Sequence, residues 1–308
     1  MTCYLPEGLR ADTAENISAL GSVEKMYKAM ENKTILEAKA TVCDRGHSLI
    51  VDLPCMRGII PREEGAVGIR EGTVRDIALI SRVGRTVCFV ITDICKDEEG
   101  RQVALLSRAR AQQRCIESCI SRLIPGDVIP ARVCHLEPFG AFCDIGCGVV
   151  ALMPIDTISV SRIEHPDERF SVGMDIRAVV KARVGSRVTL SHKELLGTWE
   201  QNAGRFSVGD TVTGIIRSVE NYGAFVELAP NLAGLAELKD DIEVGDTASV
   251  YIKSVIPEKM KIKLIIIDSF RERLIPEAPE YFITGGHIDR FVYSPAESGR
   301  NIYTDFTV

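Results

Sequence analysis

Residues 126–146 read GDVIPARVCHLEPFGAFCDIG, and residues 209–229 read GDTVTGIIRSVENYGAFVELA. Both open on Gly-Asp, alternate apolar and polar residues, and reach aromatic-Gly-Ala-Phe, at an offset of 83 residues. A repeat at a fixed offset decides the architecture before any single motif is weighed. Working outward, each copy continues in the same order. A short apolar stretch follows (ALMPI at 151–155, GLAEL at 234–238), then a glycine-led strand (VGMDIRAVVKARV, VGDTASVYIKSVI). The last strand opens on a base, Arg187-Val-Thr-Leu-Ser in one copy and Lys261-Ile-Lys-Leu-Ile in the other. The earlier copy carries about nine more residues in its loop, around SRIEHPDERF.

A fainter copy lies upstream. ILEAKATVCDRGHSLIVDL supplies its first two strands, GIIPREE its third, and GRTVCFVITDICKDEEGRQVALLSR its last two. Units of roughly 65–75 residues, built of short alternating strands bounded by Gly, Pro and Asp, predict small closed antiparallel barrels. Closure removes the exposed edges that an open sheet would carry. Helical patterns lie between the barrels, at DTAENISALGSVEKMYKAMEN, SRARAQQRCIESCISRL (107–123) and HKELLGTWEQNA (192–203).

The chain therefore divides into a helical N-terminal segment (1–32), a degenerate barrel (33–108), a connecting helix (109–124), a barrel (125–196), a linker (197–208), a barrel (209–270) and a C-terminal segment (271–308). Tyr281, Phe282, Phe291, Tyr293, Tyr303 and Phe306 make the last segment apolar enough to pack against something.

Composition bounds the function. The 308 residues are 45% apolar and 26% charged, with 6% aromatics and a net charge of -6. That is a folded protein, and it excludes a uniformly basic nucleic-acid coat while leaving room for a local binding face. There is no apolar run long enough for a spanning helix. The start, MTCYLPEGLRADTAEN, lacks a basic-then-apolar leader, so a cytoplasmic protein without membrane contact is expected. Its ten cysteines then read as reduced thiols. Cys143 and Cys147 form a C-x3-C with no matching pair, which reads as buried thiols rather than a metal site. No Ser-His-Asp, phosphate-loop or HExxH signature occurs. Neither an enzyme nor a cofactor or metal site is expected.

Aromatic-Gly-Ala-Phe, a Gly-Leu-Leu-like stretch and the ending Arg-Val-Thr-Leu-Ser together resemble the ribosomal S1 repeat, an oligonucleotide-binding (OB-fold) barrel. The two later copies match it over nearly their whole length, and the first by strand pattern and its ending. The tandem order, with a helix and Trp199 after the second copy, is similar to the bacterial small-subunit ribosomal S1 family. The resemblance implies a mainly β protein of three tandem five-stranded OB-fold barrels joined by short helices. It also implies non-catalytic binding of single-stranded RNA in translation, with the first barrel docking on the ribosome or another protein through residues 33–108. A protein scaffold, or an accessory RNA-binding subunit of an RNA-processing complex, is the alternative.

The family's binding face uses two aromatics of strand two, a His of strand three and a base of strand five. These positions fall on Phe139, Phe142, Pro154 and Arg187 in the second copy, and on Tyr222, Phe225, Glu237 and Lys261 in the third. In the first they fall on His47, Ile50, Pro61 and Arg101. Unpaired bases stack on such rings at about 1–3 kcal/mol each. Gly140 and Ala141 between the rings read as room for a base to approach. By period alone, residues three apart point to opposite faces, unless a bend re-aims one. Arg187 and Lys261 are either solvated charges or phosphate clamps. Arg132, Lys181, Arg217, Lys253 and Lys263 are further candidates on predicted strands. Basic and acidic residues number 12 and 11 over 33–108, 8 and 9 over 126–196, and 7 and 10 over 205–270. Phosphate attraction must then come from one face of each barrel.

Overall fold

The computed structural model describes residues 5–271 and 278–307. Two helices, α1 (Ala14–Leu20) and α2 (Val23–Glu31), precede the first barrel. Thr13 and Ser22 cap them, each accepting a backbone N–H of its first turn. Barrel 1 is β1 (Leu36–Cys43), β2 (Leu49–Asp52), β3 (Arg57–Ile60), β4 (Thr86–Lys96) and β5 (Gln102–Ser107). Between β3 and β4 the chain makes the short helix α3 (Ile77–Ile80). Barrel 2 is β6 (Val128–Glu137), β7 (Gly140–Asp144), β8 (Val150–Pro154), β9 (Asp175–Val184) and β10 (Arg187–Ser191). Barrel 3 is β11 (Thr211–Glu220), β12 (Gly223–Ala229), β13 (Leu232–Ala236), β14 (Thr247–Ile256) and β15 (Lys261–Phe270). Each closes in the same cycle, first strand to second to third to fifth to fourth, with the third and fifth parallel.

Alternation fills the interiors: Leu36, Leu49, Ile60, Phe89 and Leu106 in barrel 1, and Ile216, Val226, Val250, Ile252 and Leu264 in barrel 3, are all buried. Each fourth strand carries one extra residue, Thr92, Lys181 or Lys253, in a bulge against the fifth. The bulge bends a strand far enough to close a five-stranded ring.

The joining helices are α4 (Arg108–Ser118) and α5 (Trp199–Ala203). The pattern over 192–203 reads as one helix, but it breaks at Gly197, whose φ of 84° ends the first turn. Thr198 then caps a new start, reciprocated by Gln201.

The chain forms two compact units, one from the described residues of Met1–Arg122 with Asp144–Val150, the other from those of Leu123–Cys143 and Ala151–Val308. In the first, Glu7 is buried against Arg108, with Oε1 2.6 Å from Nε and Oε2 2.9 Å from Nη2, and Cys88 N–H donates to Oε1 at 3.0 Å. Burial alone would raise the Glu7 carboxyl, but Arg108 and the backbone donor outweigh it and hold it below its ordinary value.

In the second unit the C-terminal segment straps barrels 2 and 3 together. Ile288 N–H donates to Gly126 O, Val128 N–H to Gly286 O and Phe282 N–H to Leu195 O. Tyr293 O–H donates to Asn231 O of barrel 3 at 2.6 Å. Phe291, Tyr293 and Phe306 join the barrel 3 core, and β16 (Arg290–Val292) pairs with β17 (Tyr303–Asp305). Copy two's extra loop adds an ion cluster, in which Arg169 and Arg217 both pair with buried Glu227 and Arg217 also pairs with Glu168.

Cys143 and Cys147 are buried thiols. Cys119 departs from the expected reduced set, being disulfide-bonded. Composition cannot foretell such a bond, because it depends on which sulfurs the fold brings within reach. Among the described residues no helix is long and apolar enough to cross a membrane.

Candidate nucleic-acid interface

Register builds the barrel 3 face. Phe225 lies opposite Ser218 on β11 and Leu235 on β13, and Leu235 lies beside Lys263 on β15. Residues opposite one another across neighbouring strands share a face. Ser218, Phe225, Leu235 and Lys263 therefore make one outward row. Tyr222, 65% exposed in the β11–β12 turn, meets Phe225 edge-on with ring centroids 6.3 Å apart. Lys253 is the bulge residue next to this row and pairs with Glu237 at 3.5 Å, both exposed. Lys261 is exposed at the start of β15.

Barrel 2 repeats the arrangement. Phe139 is 55% exposed and meets half-buried Phe142 edge-on at 5.9 Å. Both rings face outward because Phe139 lies in the turn ahead of β7, where strand alternation does not apply. Leu152 lies beside Thr189, the equivalents of Leu235 and Lys263. Lys181, the bulge residue of β9, and Arg187 are exposed.

Gly140 and Ala141 do not leave room for a base, as their small size first suggests. A Cβ at Gly140 would stand 2.4 Å from Met153 O, and at Gly223 2.5 Å from Ala236 O. Ala141 and Ala224 are fully buried. The small residues instead admit the neighbouring strand and the core.

Two sequence candidates lie elsewhere. Arg217 is the extra residue of a β11 bulge, between Ile216 and Ser218. The bulge turns its side chain, 9% exposed, into the ion cluster with Glu227 and Glu168. Arg132 is engaged along the barrel wall by Asp175, through Nε at 2.6 Å and Nη2 at 2.8 Å.

One residue not assigned to the face from sequence joins it. His135, exposed on β6, lies nearly parallel to Phe142 (28°, centroids 6.2 Å apart). It aligns with Ser218, the partner of Phe225 across β11–β12, so the repeat register itself carried the signal. Its Nε2 is 2.6 Å from a Glu137 carboxylate oxygen.

Barrel 1 lacks the rings. The register puts Val42, Ile50, Ile59 and Leu105 in the corresponding row, but Ile50 is buried and of the four only Val42 is exposed. His47 faces Asp76 of the β3–β4 insert at 3.5 Å, and Arg62 takes the same carboxylate at 2.7 Å.

Residues 122–193 match the S1 RNA binding domain family. Over 261 residues, 82% of this chain, the sequence is 30% identical to the small ribosomal subunit protein bS1 of Staphylococcus aureus, covering 63% of that protein. The chain is similar to S1 proteins. The bS1 protein of Staphylococcus haemolyticus is 31% identical over 263 residues, covering 80% of the S1-like chain and 64% of that protein. The S1-like chain thus spans just under two thirds of the length of the curated relatives it matches. A solved multidomain protein with nucleic acid binding domains from Streptococcus pneumoniae overlaps 77% of it and 74% of its own chain, at 12% identity and a TM-score of 0.25. A match that loose says nothing about function.

Proposed function

We propose that this S1-like chain binds single-stranded RNA without cutting it, and does so in translation at the small ribosomal subunit, in the cytoplasm. The observation that carries the reading is the recurrence, at the same place in two barrels, of a paired outward aromatic site: Phe139 with Phe142, and Tyr222 with Phe225. Bases stack on these rings regardless of sequence. Lys181, Arg187, Lys253, Lys261 and Lys263, exposed on the same barrels, track phosphates. The relatives' names as ribosomal proteins support the setting.

Barrel 1 takes a different part. It lacks the paired rings, and Val42 with Ile77, Ile80 and Val83 of its insert is exposed. That surface suits docking on a protein of the ribosome or another protein partner.

The test is a titration of a fluorescent U-rich RNA of about twenty nucleotides, long enough for one or two barrels. Binding should saturate at low salt and fall by at least about thirtyfold when all four rings become alanine, since two lost stacks cost about 2–6 kcal/mol. Unchanged binding by a folded four-ring variant would sink the stacking mechanism. No binding by the folded parent would favour the scaffold.

A further inference from the structure

Barrel 3 departs from the other two at its last strand. β5 and β10 have six and five residues and run directly into helical turns, whereas β15 has ten. In the repeat alignment Ile265 takes the place of Ser107 and Ser191, so residues 266–270 extend the strand beyond the shared pattern. β14 accompanies the extension as far as Thr247 opposite Phe270. On the other side β13 stops at Ala236, opposite Leu264. Among the described residues no strand pairs with 265–270 on that side. The carbonyl of Ile267, the bulge residue, takes Lys239 Nζ at 2.6 Å. Ile265, Ile267 and Phe270 are 40%, 51% and 51% exposed, and exposed Tyr251 lies opposite Ile265 on β14.

An open apolar edge is a template for an incoming strand, whose backbone supplies affinity and whose alternate side chains supply specificity. We propose that the β15 edge from Ile265 to Phe270 docks an extended segment of a protein partner in which basic and apolar residues alternate. Ile265 and Ile267 would receive its apolar side chains. The charges around the edge choose the rest: Asp240, Asp241, Glu243 and Asp268 stand against Lys239 and Arg271. This acidic rim repels phosphate. It would also set like charges against each other in a pair of identical edges, which disfavours a second copy. A lysine on an open edge commonly deters pairing. Here it makes one exposed bond, which a backbone N–H of the incoming strand replaces.

The probe is the synthetic peptide KVKVKVKVKV added to the full chain. Its controls are the same peptide with proline at its two central positions and the acidic EVEVEVEVEV. The expected result is saturable binding of the first alone, with amide exchange at 265–270 slowed at least about tenfold. Ile265→Lys with Ile267→Lys, both on the exposed face, should lower affinity at least about tenfold while the thermal transition stays in place. Equal binding of the proline peptide, or protection confined to other strands, overturns the proposal. So does a concentration-dependent dimer in sedimentation that the double lysine variant abolishes, which would give the edge to a second copy. RNA affinity plays no part in these outcomes.

Discussion

His135 adds a third ring to the Phe139–Phe142 pair of barrel 2, and it reaches that face by a route the family pattern does not use. Strand three offers Pro154 where the pattern has a His, while strand one offers an imidazole across from Phe142. His135→Ala should weaken RNA binding by roughly fivefold, about 1 kcal/mol, the low end of a stacked contact, and leave Tyr222 and Phe225 unaffected in a titration of the double variant. Gly140→Ala should cost about 1–3 kcal/mol in urea unfolding, because its Cβ would press on a backbone carbonyl that cannot swing away. Some of this was legible in the residues alone. The aromatic-Gly-Ala-Phe motif located both ring pairs, since the motif is itself the strand-two turn. The role of Arg217 was not legible. A bulge changes which side of a strand a residue faces, and bulges arise from the closure of the ring rather than from the residue that occupies them.

Repetition and alternation made the strands and their order readable, whereas the break at Gly197 and the lock between barrels depend on contacts between distant elements. That lock makes a strong prediction. Glu227→Ala leaves Arg169 and Arg217, both nearly buried, without their shared carboxylate and should destabilise the unit by about 3–5 kcal/mol. Replacing Glu227 and both arginines with apolar residues of similar size should restore much of that loss. The strap carries a pH dependence as well. His192 is buried, with Nδ1 3.0 Å from Ile158 O and Nε2 3.1 Å from Tyr281 Oη, while Arg177 N–H donates to the same hydroxyl oxygen. Neutral imidazole fits this chain, donating at Nδ1 and accepting the tyrosine proton at Nε2. Burial lowers its pKa to about 4 from the ordinary histidine value of 6.5. As pH falls below 6.5 the unfolded chain takes up a proton that the folded one refuses. Stability is therefore full above 6.5 and declines towards 4, by about 3 kcal/mol in total. Thermal melts across this range should show the decline, and His192→Phe should remove it, at the cost of the two bonds.

At the scale of the whole molecule, net charge and local charge act differently. The chain is acidic overall, yet the five candidate cations Lys181, Arg187, Lys253, Lys261 and Lys263 are exposed on the two ring-bearing barrels. If all five meet phosphates, the logarithm of affinity should fall against the logarithm of salt with a slope no steeper than about -3.5, at about 0.7 per contact on a single strand. A flat plot would remove phosphate contacts from the mechanism. Barrels 2 and 3 also share one body, so an RNA long enough for both platforms gains by local concentration, and should bind more tightly than the sum of two short ones. The strap that completes their joining has a consequence in time. Residues 281–306 are synthesised after both barrels, and barrels fold as units from the N-terminal side onwards. For a short interval in every round of translation the nascent chain holds two finished barrels joined through the Glu227 ion cluster but not yet by the strap. The acquired rigidity arrives last. A chain stopped at Arg271 should preserve that early form, with a lower thermal transition and faster amide exchange in barrel 3, whose core loses Phe291, Tyr293 and Phe306.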